Sequence, residues 1–145
     1  MKSEEFEGIL NMGGSILGNS RQPFKRINDA DENGVTKLQS MIKNYKNMDL
    51  DCLVVLGGNG SHKTANLLSE QGLNVVTLPK TIDNDINGTE MTFGFQSAID
   101  IATRTLEELH TTAKSHKRII IDEIMGNKAG FLTLYSGMPV RQTLF

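Results

Sequence analysis

The stretch Gly57–Leu68, GGNGSHKTANLL, follows directly on the apolar run DCLVVL, and Pro79–Asp85, PKTIDND, follows on VVTL (Val75–Leu78). An apolar run that ends in glycines and passes into an amphipathic pattern reads as a strand, a tight turn and a helix N-terminus. Backbone N–H groups and the positive end of the helix dipole point out of such a turn, so it can cradle a phosphate. CLVVL (Cys52–Leu56) lacks polar alternation, as a central parallel strand covered by helices should. The pattern is not a Walker A loop, because the G-x-x-x-x-G-K-[ST] spacing is absent.

Outward from this stretch, short apolar runs alternate with longer amphipathic ones. FEGIL (Phe6–Leu10) predicts a first strand leading into GGSILGNSR, and residues 28–34 are polar and loop-like. A helix is predicted from near Val35 to near Met48, with Val35, Leu38, Met41, Ile42 and Tyr45 as a core-facing stripe. Ser61 is placed to cap the next helix, Ala65, Leu67 and Leu68 to face the sheet, and Gly72 to stop it. VVTL is the third strand. NGTEMTFGF leads into a long helix to about Thr112, RIII (Arg118–Ile121) is the fourth strand, and GFLTLYSG opens a last short helix. Alternation of this kind specifies an α/β fold, a three-layer sandwich with a mostly parallel, Rossmann-like sheet.

Composition narrows the function classes. The 145 residues carry 15 basic and 17 acidic side chains spread along the chain, a net charge of −2, which gives no footprint for nucleic acid. No apolar run approaches the roughly 18 residues that span a bilayer, so no membrane partner is expected. The single cysteine, Cys52, sits in an apolar strand and has no disulfide partner. With no apolar signal region in MKSEEFEG, a reducing, cytoplasmic location is the expectation.

Ligands of parallel sheets bind outside the carboxyl ends of the strands. Here the strands run into GGSILGNSR, GGNGS, PKTIDND and DEIMGNKAG, so four glycine- or acid-rich loops should converge on one edge. Gly57, Gly58 and Gly60 leave room for a phosphate to approach the backbone. In PKTIDND, Asp83 and Asp85 stand two apart beside Thr81, Asn84 and Lys80. One carboxylate can take the proton from a hydroxyl that is to be phosphorylated while the second lies near Mg²⁺. The plainer alternative is a turn stabilised by Asp and Asn bonding their own backbone. Arg21 could clamp a phosphate as a fork.

Together these residues resemble the phosphofructokinases. GGSILGNSR, GGNGSHKTA, PKTIDNDINGT, TFGFQSA, TTAKSHKR and EIMGNKAGFLTLYSG occur in that family's order and about its spacing, across residues 7 to 137. The resemblance implies a cytosolic, Mg²⁺-dependent glycolytic kinase, a homo-oligomer that moves phosphate from ATP or pyrophosphate to the 1-hydroxyl of fructose 6-phosphate. It implies Asp83 as the base, Asp85 as its acidic partner and Thr81 as a contact near the sugar phosphate. Gly57, Gly58, Asn59, Gly60 and Ser61, with Arg21 and Lys80, would bind the donor phosphates. Arg118, reaching across a subunit boundary, with Met125 and Gly126, would bind the sugar phosphate. Asn59 and Asp85 would be weak Mg²⁺ ligands.

Departures from the family pattern shape the expectation further. Asn59 stands where many members have aspartate, and an amide holds a metal less strongly than a carboxylate. Gly60 resembles the ATP-using type and Lys80 the pyrophosphate-using type; the steric argument at Gly60 favours ATP. Asn127 stands where the family usually has an arginine, and loss of such a charge-stabilising donor costs on the order of a hundredfold in rate. No counterpart of the family's first strand is present, the family-like domain is partial over residues 1–137, and the tail Met138–Phe145 reads as a frameshifted end. The alternatives are a truncated remnant that folds, self-associates and binds polyphosphate without turnover, and an NAD kinase or lipid kinase relative sharing only the glycine loop.

Overall fold

The computed structural model describes residues 6–16, 18 and 23–140. Strand β1 (Leu53–Gly57) and strand β2 (Val75–Pro79) pair in parallel, with Leu53 opposite Val75 and Gly57 opposite Pro79. With α1 defined as Lys37–Asn47, the crossover between the strands is α2 (Asn59–Glu70), which buries Ala65 and Leu68. Gly72 ends α2 as the sequence leads one to expect. It lies in the left-handed region at φ 83°, its N–H bonds the Ser69 carbonyl, and the Leu73 N–H bonds the Leu68 carbonyl. Leu68 and Leu73, both buried, form the apolar contact that accompanies this type of helix end.

Leu53 and Val55 share the α2 side of the sheet, and the other face is open: Val54, Leu56 and Val76 are 54, 56 and 49% exposed. The α/β organisation is therefore present and incomplete. Helix α1 starts at Thr36, whose hydroxyl accepts from the Gln39 N–H at 3.2 Å while the Gln39 side chain accepts from the Thr36 N–H at 2.9 Å. This reciprocal cap fixes the helix start. Its stripe is not core: Leu38, Met41, Ile42 and Tyr45 are half-buried and Val35 is exposed. Helix α1 stands off the sheet, and Met41 and Tyr45 line a cavity of about 880 Å³ with Leu53, Val55 and Leu68.

A second centre of packing lies past the carboxyl end of β2. Helix α3 (Phe95–His116) and helix α4 (Phe131–Gly137) enclose Phe95, Ile99 and Leu132, with Ile82, Ala98 and Ile124 against them. The Tyr135 ring meets Phe95 edge-on at 5.6 Å. Ser136, fully buried, donates its hydroxyl to the Leu132 carbonyl at 2.7 Å.

Several sequence expectations are corrected. Phe6–Leu10 forms no strand; a 3-10 turn covers Ile9–Asn11 and Leu10 is 97% exposed, with no neighbouring ladder among the described residues. Ser61 does not cap α2. The helix begins three residues earlier than a Ser61 cap would start it, at Asn59 with Gly58 as N-cap, and the Ser61 side chain packs where a Cβ on Gly57 would stand. Helix α3 runs on to His116. Arg118–Ile121 is not paired as a strand, and Ile119 and Ile121 are 95 and 92% exposed. The reason is geometric. The 22 residues of α3 span about 33 Å, and the following segment turns back along the helix to bring Ile124 against the Phe95, Ile99 and Leu132 cluster. No partner strand lies beside it among the described residues. Of the tail, residues 138–140 form a turn and 141–145 lie outside the described residues.

Substitutions should separate the two kinds of support around α2. Leu68→Ala is expected to cost about 2–5 kcal/mol, the range for a large buried side chain cut to Ala, and Gly72→Ala about 1–2 kcal/mol through left-handed strain. Urea unfolding checks this; equal losses would contradict it.

Candidate functional site

Beyond β2 the backbone ladder continues into the acidic loop. The Lys80 N–H bonds the Gly57 carbonyl at 3.0 Å, the Phe93 N–H bonds the Pro79 carbonyl at 2.9 Å, and the Thr81 N–H bonds the Phe93 carbonyl at 3.1 Å. Residues 92–93 are thereby laid alongside 79–81, and everything between is a loop closed at its neck. Inside it, Asn84 takes a left-handed conformation at φ 51°. Its Oδ1 accepts from the Thr92 N–H at 2.8 Å and its Nδ2 donates to the Glu90 carbonyl at 3.2 Å. The Thr92 hydroxyl donates to the Thr81 carbonyl at 2.7 Å, and the Asp83 N–H bonds the Thr81 hydroxyl at 3.2 Å. Asp83 and Asp85 therefore flank a residue pinned from both ends. Both are half-buried, and the Asp83 carboxylate takes no hydrogen bond from the described residues.

The glycine loop packs against this neck. A Cβ on Gly58 would come within 3.8 Å of the Thr81 Cβ, and Gly57 is buried against Ser61. The first N–H bonded within α2 is that of His62, to the Gly58 carbonyl at 3.1 Å. The amides of Asn59, Gly60 and Ser61 therefore have no intrahelical acceptor, and the first turn holds neither an acidic residue nor a side-chain cap. That end of α2 is open to an anion. Nothing lies within 4 Å of a Cβ built on Gly60. Asn59 Nδ2 donates to the Asp85 carbonyl at 3.4 Å, which ties the glycine loop to the acidic one.

A third loop reaches the same point. After the buried Gly126, Asn127 is left-handed at φ 51° and its Nδ2 donates to Asp85 Oδ2 at 3.2 Å. Met125 beside it is 74% exposed. Three of the four predicted loops thus meet. Of the fourth, residues 13–16 and 18 are exposed and Arg21 lies outside the described residues. Lys80 is exposed at the neck, while Arg118 lies past the far end of α3, its N–H bonded back to the Ala113 carbonyl, at the opposite end of the helix from Phe95.

The donor set around Asp85 is one carboxylate with two amides, Asn59 and Asn127, and no group of three or more His, Cys, Asp or Glu that could hold a metal exists among the described residues. That is too few charges for a resident metal. It fits Mg²⁺ arriving with phosphates, which is held by one or two carboxylates and the phosphate oxygens. Thr92 and Phe93 carry no chemical mark in the sequence, and their part in the neck follows only from the fold.

A parallel α/β protein with an unfilled helix N-terminus against a paired-carboxylate loop has the arrangement by which such sheets can take a phosphate at their carboxyl edge. Comparison with known proteins gives the family. The model for "Phosphofructokinase" matches residues 1–143. The chain is 57% identical over 137 residues to an ATP-dependent 6-phosphofructokinase of Spirochaeta thermophila, covering 92% of this chain and 37% of the relative. It is 40% identical over 136 residues to a pyrophosphate–fructose 6-phosphate 1-phosphotransferase of Dictyoglomus thermophilum, covering 93% and 37%. Among solved structures, the phosphofructokinase of Saccharomyces cerevisiae superposes with a TM-score of 0.72 at 28% identity, over 89% of this chain and 19% of that one. The chain belongs to the phosphofructokinase family and spans less than two fifths of the length of these relatives.

The neck makes a direct prediction. Thr92→Val keeps shape but leaves the Thr81 carbonyl unpaired in a site where Thr92 is 2% exposed. It should lower stability by about 1–3 kcal/mol, the cost of an unsatisfied buried group, measured by denaturant unfolding; no change would show the bond to be dispensable.

Proposed function

We propose that this chain carries the phosphoryl-transfer centre of a 6-phosphofructokinase, moving the terminal phosphoryl group of ATP to the 1-hydroxyl of fructose 6-phosphate. The observation that carries the reading is the junction of the open α2 N-terminus with the Asp83 loop, because the reaction needs a donor-phosphate seat and a proton acceptor side by side. The donor phosphates lie on the Asn59, Gly60 and Ser61 amides, with Lys80 at the neck as a cation; Arg21 joins them on the family resemblance alone. Asp83, with no hydrogen-bond donor on its carboxylate among the described residues, takes the hydroxyl proton as the sugar oxygen bonds phosphorus and the bond to the leaving ADP breaks. Thr81 orients the acceptor loop. Asp85 and Asn59 would hold Mg²⁺ together with the phosphate oxygens, and the ion would supply charge neutralisation at the donor. Met125 and Gly126 border the sugar side.

ATP is favoured over pyrophosphate by the clear space beside Gly60, which a nucleotide can use. Arg118 at the far end of α3 suits a role in a neighbouring subunit's site, which supports an oligomer; a cytoplasmic, glycolytic setting goes with the phosphofructokinase reading. A second reading has its own support. Amides rather than charged groups at Asn59 and Asn127, both bonded to Asp85, favour a chain that binds polyphosphate without turnover.

An assay for fructose 1,6-bisphosphate, run with ATP and separately with pyrophosphate, divides the readings. Turnover with ATP, reduced about 100-fold or more by Asp83→Ala, supports the kinase; binding of phosphate without product from either donor supports the second reading. Gly60→Asp should leave unfolding unchanged, since its Cβ meets open space, yet weaken ATP binding by about tenfold or more through crowding and charge. Unaltered ATP affinity in calorimetry would remove Gly60 from the donor seat.

A further inference from the structure

Asp85 is the one residue to which both other loops are tied. Its main-chain oxygen accepts from Asn59 Nδ2 at 3.4 Å and its carboxylate Oδ2 from Asn127 Nδ2 at 3.2 Å. Asn59 opens α2, and Asn127 closes an excursion in which the chain runs out along α3 and comes back. The return past Arg118–Ile121 has no strand partner among the described residues, with Ile119 and Ile121 exposed, so no ladder sets its register against the site. That register is taken at its end, where Ile124 meets the Phe95 cluster, Gly126 turns and Asn127 reaches Asp85. Asn127 suits the task. Asparagine tolerates the left-handed conformation it adopts here, and its amide offers a donor to a carboxylate without a competing charge.

We propose that Asn127 is a positioning residue that acts through Asp85: the Asn59–Asp85–Asn127 chain of hydrogen bonds is a latch that registers the turn before α4, the acidic loop and the α2 N-terminus against one another. It deepens the proposed function, on which only its turnover arm rests. The latch couples two turns that share no other hydrogen bond among the described residues, the one closed by the Ala129 N–H on the Gly126 carbonyl and the one closed by the His62 N–H on the Gly58 carbonyl.

The sense of the Asn127–Asp85 bond can be reversed, which supplies the test. Four proteins are compared by amide hydrogen exchange: the parent chain, Asn127→Asp, Asp85→Asn, and the double exchange Asp85→Asn with Asn127→Asp. Asn127→Asp sets two carboxylates against each other and should speed exchange about fivefold or more at Ala129 and also at His62, across the latch. The double exchange, in which the amide and carboxylate trade places, should restore protection at both. A purely local role in the turn would move Ala129 and leave His62 unchanged, and that result overturns the proposal. So does additivity of the two single effects in the double exchange. These outcomes hold whether or not the chain turns over. Where product forms, the double exchange should recover protection but remain at least tenfold down in kcat, because the carboxylate has left the acidic loop; recovery of kcat would show that only the bond matters and not the place of the carboxylate.

Discussion

The site depends on a backbone contact rather than on any charged group: the short parallel bridge across the neck of the acidic loop, in which the Phe93 N–H donates to the Pro79 carbonyl and the Thr81 N–H donates to the Phe93 carbonyl. An eleven-residue excursion between Thr81 and Phe93, rich in Asp, Asn and Gly, would otherwise sample many conformations. Closing its ends removes most of that freedom, and Asn84 and Thr92 then fix the interior by bonding main-chain groups that would be costly to leave unpaired. Asp83 and Asp85 inherit their positions from this scaffold. The carboxylates need no ion pair to be placed, and the Asp83 carboxylate remains without a hydrogen bond from the described residues.

The same neck joins the two packing centres. On one side Lys80 continues the ladder from Gly57, so the loop is an extension of the β1–β2 sheet. On the other, Ile82 packs against the Phe95, Ile99 and Leu132 cluster, so the loop is also the floor under α3 and α4. A residue in the loop therefore feels both halves. The apolar face bearing Val54, Leu56 and Val76 is not part of this arrangement, and leaving it bare costs hydrophobic stabilisation without disturbing the carboxyl edge where the loops meet.

Much of this was legible where local signals and periodicity agree. The runs before GGNGS and PKTIDND gave β1 and β2, Gly72 gave the end of α2, and paired aspartates gave the acidic loop. What failed required a partner. FEGIL and RIII have strand composition, but a strand exists only as a pair, and neither finds a neighbour among the described residues. Ser61 looked like a cap by residue type, yet the helix starts at Asn59, because Gly57 lets the turn close on the Ser61 side chain. Thr92, Phe93 and the Asn127–Asp85 contact depend on residues brought together across the fold. Spacing alone did not indicate them.

The most direct measurement is native-state amide exchange on the intact chain, comparing Thr81, Thr92 and Phe93 with the β1–β2 ladder. If the neck organises the site, those amides exchange in the same slow class as Lys80 and Leu53, through the same opening. If Thr81, Thr92 and Phe93 exchange at free-loop rates while Leu53 stays protected, the acidic loop is not held by its neck and the account of how Asp83 and Asp85 are placed is wrong.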